Sequence, residues 1–203
     1  MALQPLSRSA TAMTQAGTLT PAQAVGVGQQ FLRFHLIPDT TALLSVHQIT
    51  EVLTVPLGQI VPIPQMPAWV MGIYNWRGEI LWLADLGHLI GLTPLYEQSM
   101  GSSTCRAIVI HGDGQTPGKQ KAGSQATGRK ILGLVVNRVE DMEWCNPNLI
   151  QSPPAASVTP ELVPFLRGYW LKPNHGEMFM VLDGESILAG MATAEEPTTV
   201  APP

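Results

Sequence analysis

The sequence predicts a mainly β fold, built as two small barrels packed against each other and joined by short helices. Three observations lead there. Only 13% of the 203 residues are Asp, Glu, Lys or Arg, while Gly 19 and Pro 18 are plentiful. That composition belongs to many turns and short strands rather than long exposed helices. The chain also repeats itself, since "GIYNWRGEILWLADLGHLIG" resembles "GYWLKPNHGEMFMVLDGESILAG". Finally, 45% hydrophobic content is enough for a core, yet neither half has the strands or apolar area to be stable alone.

In chain order, residues 1–28 are Ala, Thr, Gln, Ser and Gly with scattered apolar residues, and read as a disordered leader. A folded domain is expected over 29–192, with lobes at about 29–103 and 104–192 that can exchange strands, followed by a flexible tail at 193–203. Gly112 to Lys130 lies between the apolar strands "RAIVI" and "ILGLVV" and reads as a long hairpin loop. Lys119, Lys121, Arg129 and Lys130 against Asp113 make this loop basic, so the rest of the chain is more acidic than its net charge of -4.

Within the repeat, Gly78-Glu79 and Gly176-Glu177 each open an apolar strand, and Asp85 and Asp183 each follow the glycine by seven residues. An aspartate where a strand runs into a helix accepts hydrogen bonds from the first free helical amides. Both read as N-caps, with Gly91 and Gly190 as helix ends. Upstream, Ser45 and Gln48, like Asn137 and Glu140, have capping-box spacing. Val46, Ile49, Val52 and Leu53 fall on one helical face, so helices are expected after "ALL" and "LGLVV".

Several functions lose their usual support. A net charge of -4 and a pI of 5.7 lack the basic footprint of a nucleic-acid binder. No apolar run reaches the length that spans a bilayer and no signal-like segment opens the chain, so it reads as cytoplasmic. Cys105 and Cys145 lie in no CxxC pattern and read as reduced, buried thiols. His35, His47, His88, His111 and His175 are scattered without ligand spacing, and no phosphate loop, HExxH or GxSxG occurs. No metal or cofactor is expected. Asp85, Glu79 and His88 all have structural readings, as cap, strand start and water-facing helix residue, so no catalytic residues are assigned.

The segments "FLRFHL", "SVHQITEVL", "IPQMPAWVMGIYNWRGEILWLADL", "LGLVVNRVEDM", "FLRGYWL" and "GEMFMVLD" resemble the CheW-like domain family, from about Gln29 to Gly190. The resemblance implies two five-stranded, SH3-like β-barrels around a joint core and no enzymatic activity. It also implies two partners, the regulatory domain of a CheA-type histidine kinase and the cytoplasmic tip of a chemoreceptor. The setting would be chemotaxis, phototaxis or pilus motility; the alternative is a module that binds one partner only. The family's Asn-x-Arg-Gly turn matches Asn75, Arg77 and Gly78. Its acidic position matches Glu51, flanked by Ile49 and Val52, and these six are the expected partner-binding residues. Gly78 can supply the positive φ of a tight turn and Asn75 can bond its own backbone there. Arg77 is then either displayed to a partner or held by an internal carboxylate or carbonyl.

Overall fold

A computed structural model describes residues 28–98, 102–112, 130–152, 158–173 and 176–194. The leader, the tail beyond 194 and the loop expected between Gly112 and Lys130 lie outside these residues. The first half runs β1 (Gln29–Leu36), β2 (Thr40–Ser45), β3 (Ile49–Pro56), β4 (Val70–Trp76), β5 (Glu79–Asp85), α1 (Leu86–Leu89) and α2 (Leu95–Gln98). The second half runs β6 (Thr104–His111), β7 (Ile131–Val136), β8 (Arg138–Cys145), β9 (Leu166–Leu171), β10 (Met178–Leu182) and α3 (Gly184–Ala194).

The strands form two five-stranded sheets, ordered β8-β1-β2-β10-β9 and β3-β6-β7-β5-β4. The orders superimpose when β1 is matched with β6, β2 with β7, β3 with β8, β4 with β9 and β5 with β10. Each half therefore gives its first two strands to one sheet and its last three to the other, and the sheets cut across the boundary near residue 103. This explains physically why the halves depend on each other: neither sheet has all its strands until both halves are present.

Each sheet curls until its edges meet. After β3 a 3-10 turn at Leu57–Gln59 leads to Val61, which bridges to Ile73 of β4; after β8 a turn at Pro147–Leu149 leads to Gln151, which bridges to Tyr169 of β9. Next to each bridge stands the glycine that opens each copy of the repeat. Gly72 has φ +135, and a Cβ there would lie 2.2 Å from the Val61 carbonyl oxygen; Gly168 has φ +152, with the Gln151 carbonyl at 2.5 Å. A side chain at either position would push the closing segment away.

Three clusters account for the apolar content. Val55, Leu81, Leu83, Cys105, Ala107, Val109 and Val135 fill the second barrel, while Phe31, Leu43, Cys145, Trp170, Phe179 and Val181 fill the first. The joint core between them takes the alternate residues, such as Leu44, Ile108, Ile110, Leu134 and Met180, together with Ile187 and Leu188 of α3. A strand with one face in its own barrel and the other in the joint core has no solvent side. That is why "RAIVI" and "ILGLVV" are continuous apolar runs.

Three local expectations are corrected. Val46–Gln48 is a single 3-10 turn and Ile49–Pro56 is strand β3, not a helix; Arg138–Cys145 is likewise strand β8. β-branched Ile49, Thr50, Val52, Thr54 and Val55 favour the pleated surface. Gly190 does not end α3, which continues to Ala194; a Cβ at Gly190 would lie 2.9 Å from the Phe165 ring, so the glycine admits that ring against the helix. His88 does not face water: it is half-buried, its ring edge-on to Tyr96 with centroids 6.4 Å apart. The two aspartate caps are present, but the capping boxes are not: Ser45 makes no side-chain cap bond to the turn that follows it, and Asn137 precedes a strand and accepts from Ile37 N at 3.1 Å. Asp85 accepts from the amides of His88 at 3.1 Å and Leu95 at 2.6 Å, and Asp183 accepts from Glu185 N at 3.1 Å.

Candidate functional site: the tip of the β4–β5 hairpin

β4 and β5 pair antiparallel to the last residues before the turn, Trp76 opposite Glu79. Arg77 and Gly78 form a two-residue connection with φ +56 and +89. Two positive φ values describe a type I′ turn, whose twist matches that of the flanking strands. Gly78 adopts that backbone readily. Arg77, carrying a Cβ, does so against a penalty of about 1 kcal/mol. Asn75 Oδ1 accepts from Gly78 N at 3.0 Å and fixes the turn from within.

The tip reaches across the seam of its barrel to β3. Trp76 Nε1 donates to Glu51 Oε1 at 2.5 Å, and Arg77 Nη2 donates to Glu51 Oε2 at 2.9 Å. The Arg77 guanidinium carbon also stands 5.3 Å from the Trp76 ring centroid, within cation–π range. Glu51 is held more deeply than its partner: its side chain is 24% exposed, that of Arg77 70%. The carboxylate thus sets the direction of the arginine. Glu51 uses one of the five guanidinium donors through this bond, and the rest can meet carbonyls or carboxylates of another molecule.

Of the six expected residues, the structure brings together Glu51, Asn75, Arg77 and Gly78. Ile49 and Val52 lie elsewhere: Ile49 packs against the joint core, and Val52 is 40% exposed on the strand face opposite Glu51's. Of the two readings of Arg77, the internal carboxylate is present, and the side chain it holds is still largely exposed. Sequence reasoning missed Trp76. The signal was available, because an indole N–H at a hairpin tip needs an acceptor and Glu51 was already singled out.

The first barrel repeats the device. Lys172, at the tip of β9, is 2.9 Å from Glu143 on β8, which also pairs with Arg33 Nη1 at 2.9 Å. Beside it, Glu140 lies 2.7 Å from Arg33 Nε, 2.8 Å from His35 Nε2 and 2.6 Å from Arg138. Burial alone would raise the Glu140 pKa, but His35, Arg33 and Arg138 together hold it below the usual carboxylate range. Both free thiols are buried: burial pushes Cys145 up to about 11, against a smaller opposing effect of Arg167, and raises Cys105 as well, which favours the protonated form. Among the described residues, no group of three His, Cys, Asp or Glu could hold a metal ion, and no helix is long and apolar enough to cross a membrane.

Two curled sheets around a joint core, with a charged hairpin tip stapled across the seam, define a double SH3-like barrel with an exposed, ion-paired turn. The model of the CheW-like domain matches residues 30–191, and the chain belongs to that family. A probable chemotaxis protein CheW from Rhizobium etli is 28% identical over 94 residues, which is 46% of this chain and 48% of that protein. The chain thus aligns with about half the length of this relative. The crystal structure of the scaffolding protein TtCheW from Thermoanaerobacter tengcongensis is similar with a TM-score of 0.57 and 23% identity, covering 77% of this chain and 89% of that one. It shares the fold.

Proposed function

We propose that this protein is a non-catalytic adaptor of a chemotaxis-type pathway, holding a CheA-type histidine kinase through its regulatory domain and the cytoplasmic tip of a chemoreceptor. Family membership supports the adaptor role, and the names of its relatives, a chemotaxis protein and a scaffolding protein, agree with it. One observation carries the assignment to residues: Arg77 is 70% exposed yet fixed by Glu51 at 2.9 Å. An arginine already oriented loses little freedom on binding, and arginine is enriched among residues that dominate interface energies. Asn75 and Gly78 hold the turn, Glu51 and Trp76 aim the guanidinium, and Arg77 makes the contact. A bridging assay tests this reading. Receptor-tip fragment on vesicles is sedimented with kinase regulatory domain, with and without this protein; kinase in the pellet only when the protein is present is the expected result. Binding of one partner with exclusion of the other would make it a single-partner module instead.

A further inference from the structure

β3 runs away from the hairpin tip, and near its far end lies an open cleft of about 250 Å³ to which both barrels contribute. Its aliphatic wall is Ile37 from the β1–β2 turn, Leu57 after β3, Leu95 of α2 and Val136 at the end of β7. Arg106 of β6 stands beside this wall, paired with Thr54 on one side and Val136 on the other, so the three side chains share one face of the sheet. Its Nη1 donates to Thr54 Oγ1, an uncharged partner. Among the described residues Arg106 makes no ion pair, and no Asp or Glu lines the cleft. The walls are tied to one another. Asn137 Oδ1 accepts from Ile37 N at 3.1 Å, Leu57 N donates to the Ser103 carbonyl at 2.9 Å, and Ser102 Oγ donates to the Thr104 carbonyl at 2.7 Å.

We propose that this cleft docks a partner segment that carries a carboxylate beside an aliphatic side chain. Charge complementarity decides the occupant. An exposed guanidinium bonded to one hydroxyl has most of its donors still available, and a carboxylate takes two of them in parallel. Acids outnumber bases in this chain of net charge -4, yet none of the described ones reaches Arg106. A carboxylate from another molecule therefore meets no competitor there. Volume sets the size of the occupant: sites for small molecules run from about 300 Å³ upward, so this cleft takes one or two side chains. Ile37, 39% exposed, offers the aliphatic contact next to the charge. Walls fixed by their own hydrogen bonds need little ordering on binding. The surface is distinct from the Arg77 tip, because Thr54 points to the face of β3 that Val52 occupies, away from Glu51.

Titration of the full chain with short peptides, followed by amide NMR shifts, tests the proposal. The probes are acetylated and amidated Gly-Leu-Glu-Leu-Gly, the same peptide with glutamine for glutamate, and the same peptide with glycine for both leucines. The expected result is saturable shifts at Thr104, Arg106 and Asn137 with a Kd of about 1 mM or tighter for the glutamate peptide. The glutamine peptide binds at least about tenfold more weakly, because charge-assisted bonds are about twice as strong as neutral ones. Arg106→Gln removes the preference for glutamate and Arg106→Lys keeps part of it, with melting curves confirming that each variant is folded. Arg167→Gln, which changes an exposed arginine of β9 outside the cleft, leaves the preference intact. No saturable shift with the glutamate peptide, equal binding of the glutamate and glutamine peptides, or a preference that survives Arg106→Gln overturns the proposal. Equally tight binding of the leucine-free peptide overturns it too, since the aliphatic wall then contributes nothing.

Discussion

Arg77 and Glu51 meet at 2.9 Å across the seam where β3 and β4, the two outer strands of one sheet, come together. The contact joins barrel closure to orientation: the same bond that staples the hairpin tip to β3 fixes the direction of an exposed guanidinium.

Its contribution to stability is small. An ion pair with one member 70% exposed contributes about 0–1 kcal/mol after screening. Arg77→Ala keeps a side chain at φ +56, whereas Arg77→Gly removes the guanidinium and relieves the backbone together. Arg77→Gly is therefore expected to be as stable as the unaltered protein or more stable by up to about 1 kcal/mol. Urea denaturation of the three proteins checks this order.

Closing the barrels depends on Gly72 and Gly168. Alanine at either position combines positive φ with a Cβ 2.2 or 2.5 Å from a carbonyl oxygen. Each substitution is expected to cost about 2–4 kcal/mol, as overpacking and backbone strain add. Gly58, with nothing within 4 Å of its Cβ position, is the control, and Gly58→Ala should stay within about 0.5 kcal/mol. Thermal melts distinguish the three; equal melting temperatures would remove the closure argument.

Asp85 does more than cap α1. Its second oxygen accepts from Leu95 N at 2.6 Å, so one buried carboxylate also holds the start of α2. Asp85→Ala removes the acceptor of two amide hydrogen bonds and is expected to cost about 2–4 kcal/mol, above the usual loss of a cap alone. Asp183→Ala should cost about 1 kcal/mol.

The pKa directions give opposite ends of a pH profile. Glu140 is depressed in the folded state, so its stabilising share is present above the unfolded value near 4.5 and is lost as pH falls through the folded value. Glu140→Gln should flatten that acid limb. Cys145, raised from 9.0 to about 11, acts in reverse: folding favours the thiol, and this share is lost as pH rises from 9 towards 11. Alkylation at pH 8 should leave both cysteines unmodified until the protein is unfolded.

The parts of the fold readable from sequence are those where one local pattern admits one structure. The two repeat copies display glycine, strand and aspartate cap in register, and the structure places them at matching positions. β3 and β8 were misread for a common reason. A bulge in β3 between Ile49 and Glu51, and another in β8 between Val139 and Met142, break the two-residue alternation. What remains in "VHQITEVL" fits a helical period equally well. The Glu51–Arg77 contact itself was open because it forms across a seam between residues 26 apart, and closure is a property of the whole sheet. Trp76 differs: its indole N–H signalled the need for an acceptor, but which carboxylate supplies it is fixed only once the barrel is shut.

The most direct test of the account is the affinity of Arg77→Gly for the kinase regulatory domain and for the receptor-tip fragment, titrated beside melting curves. The account predicts at least a tenfold weaker Kd for one or both partners, since a desolvated arginine contact contributes about 2 kcal/mol or more, with no loss of melting temperature. Arg77→Lys should recover only part of it, because an ammonium keeps the charge without the planar fork. Unchanged affinity for both partners in a fully folded Arg77→Gly protein would contradict the claim that this tip is the recognition surface.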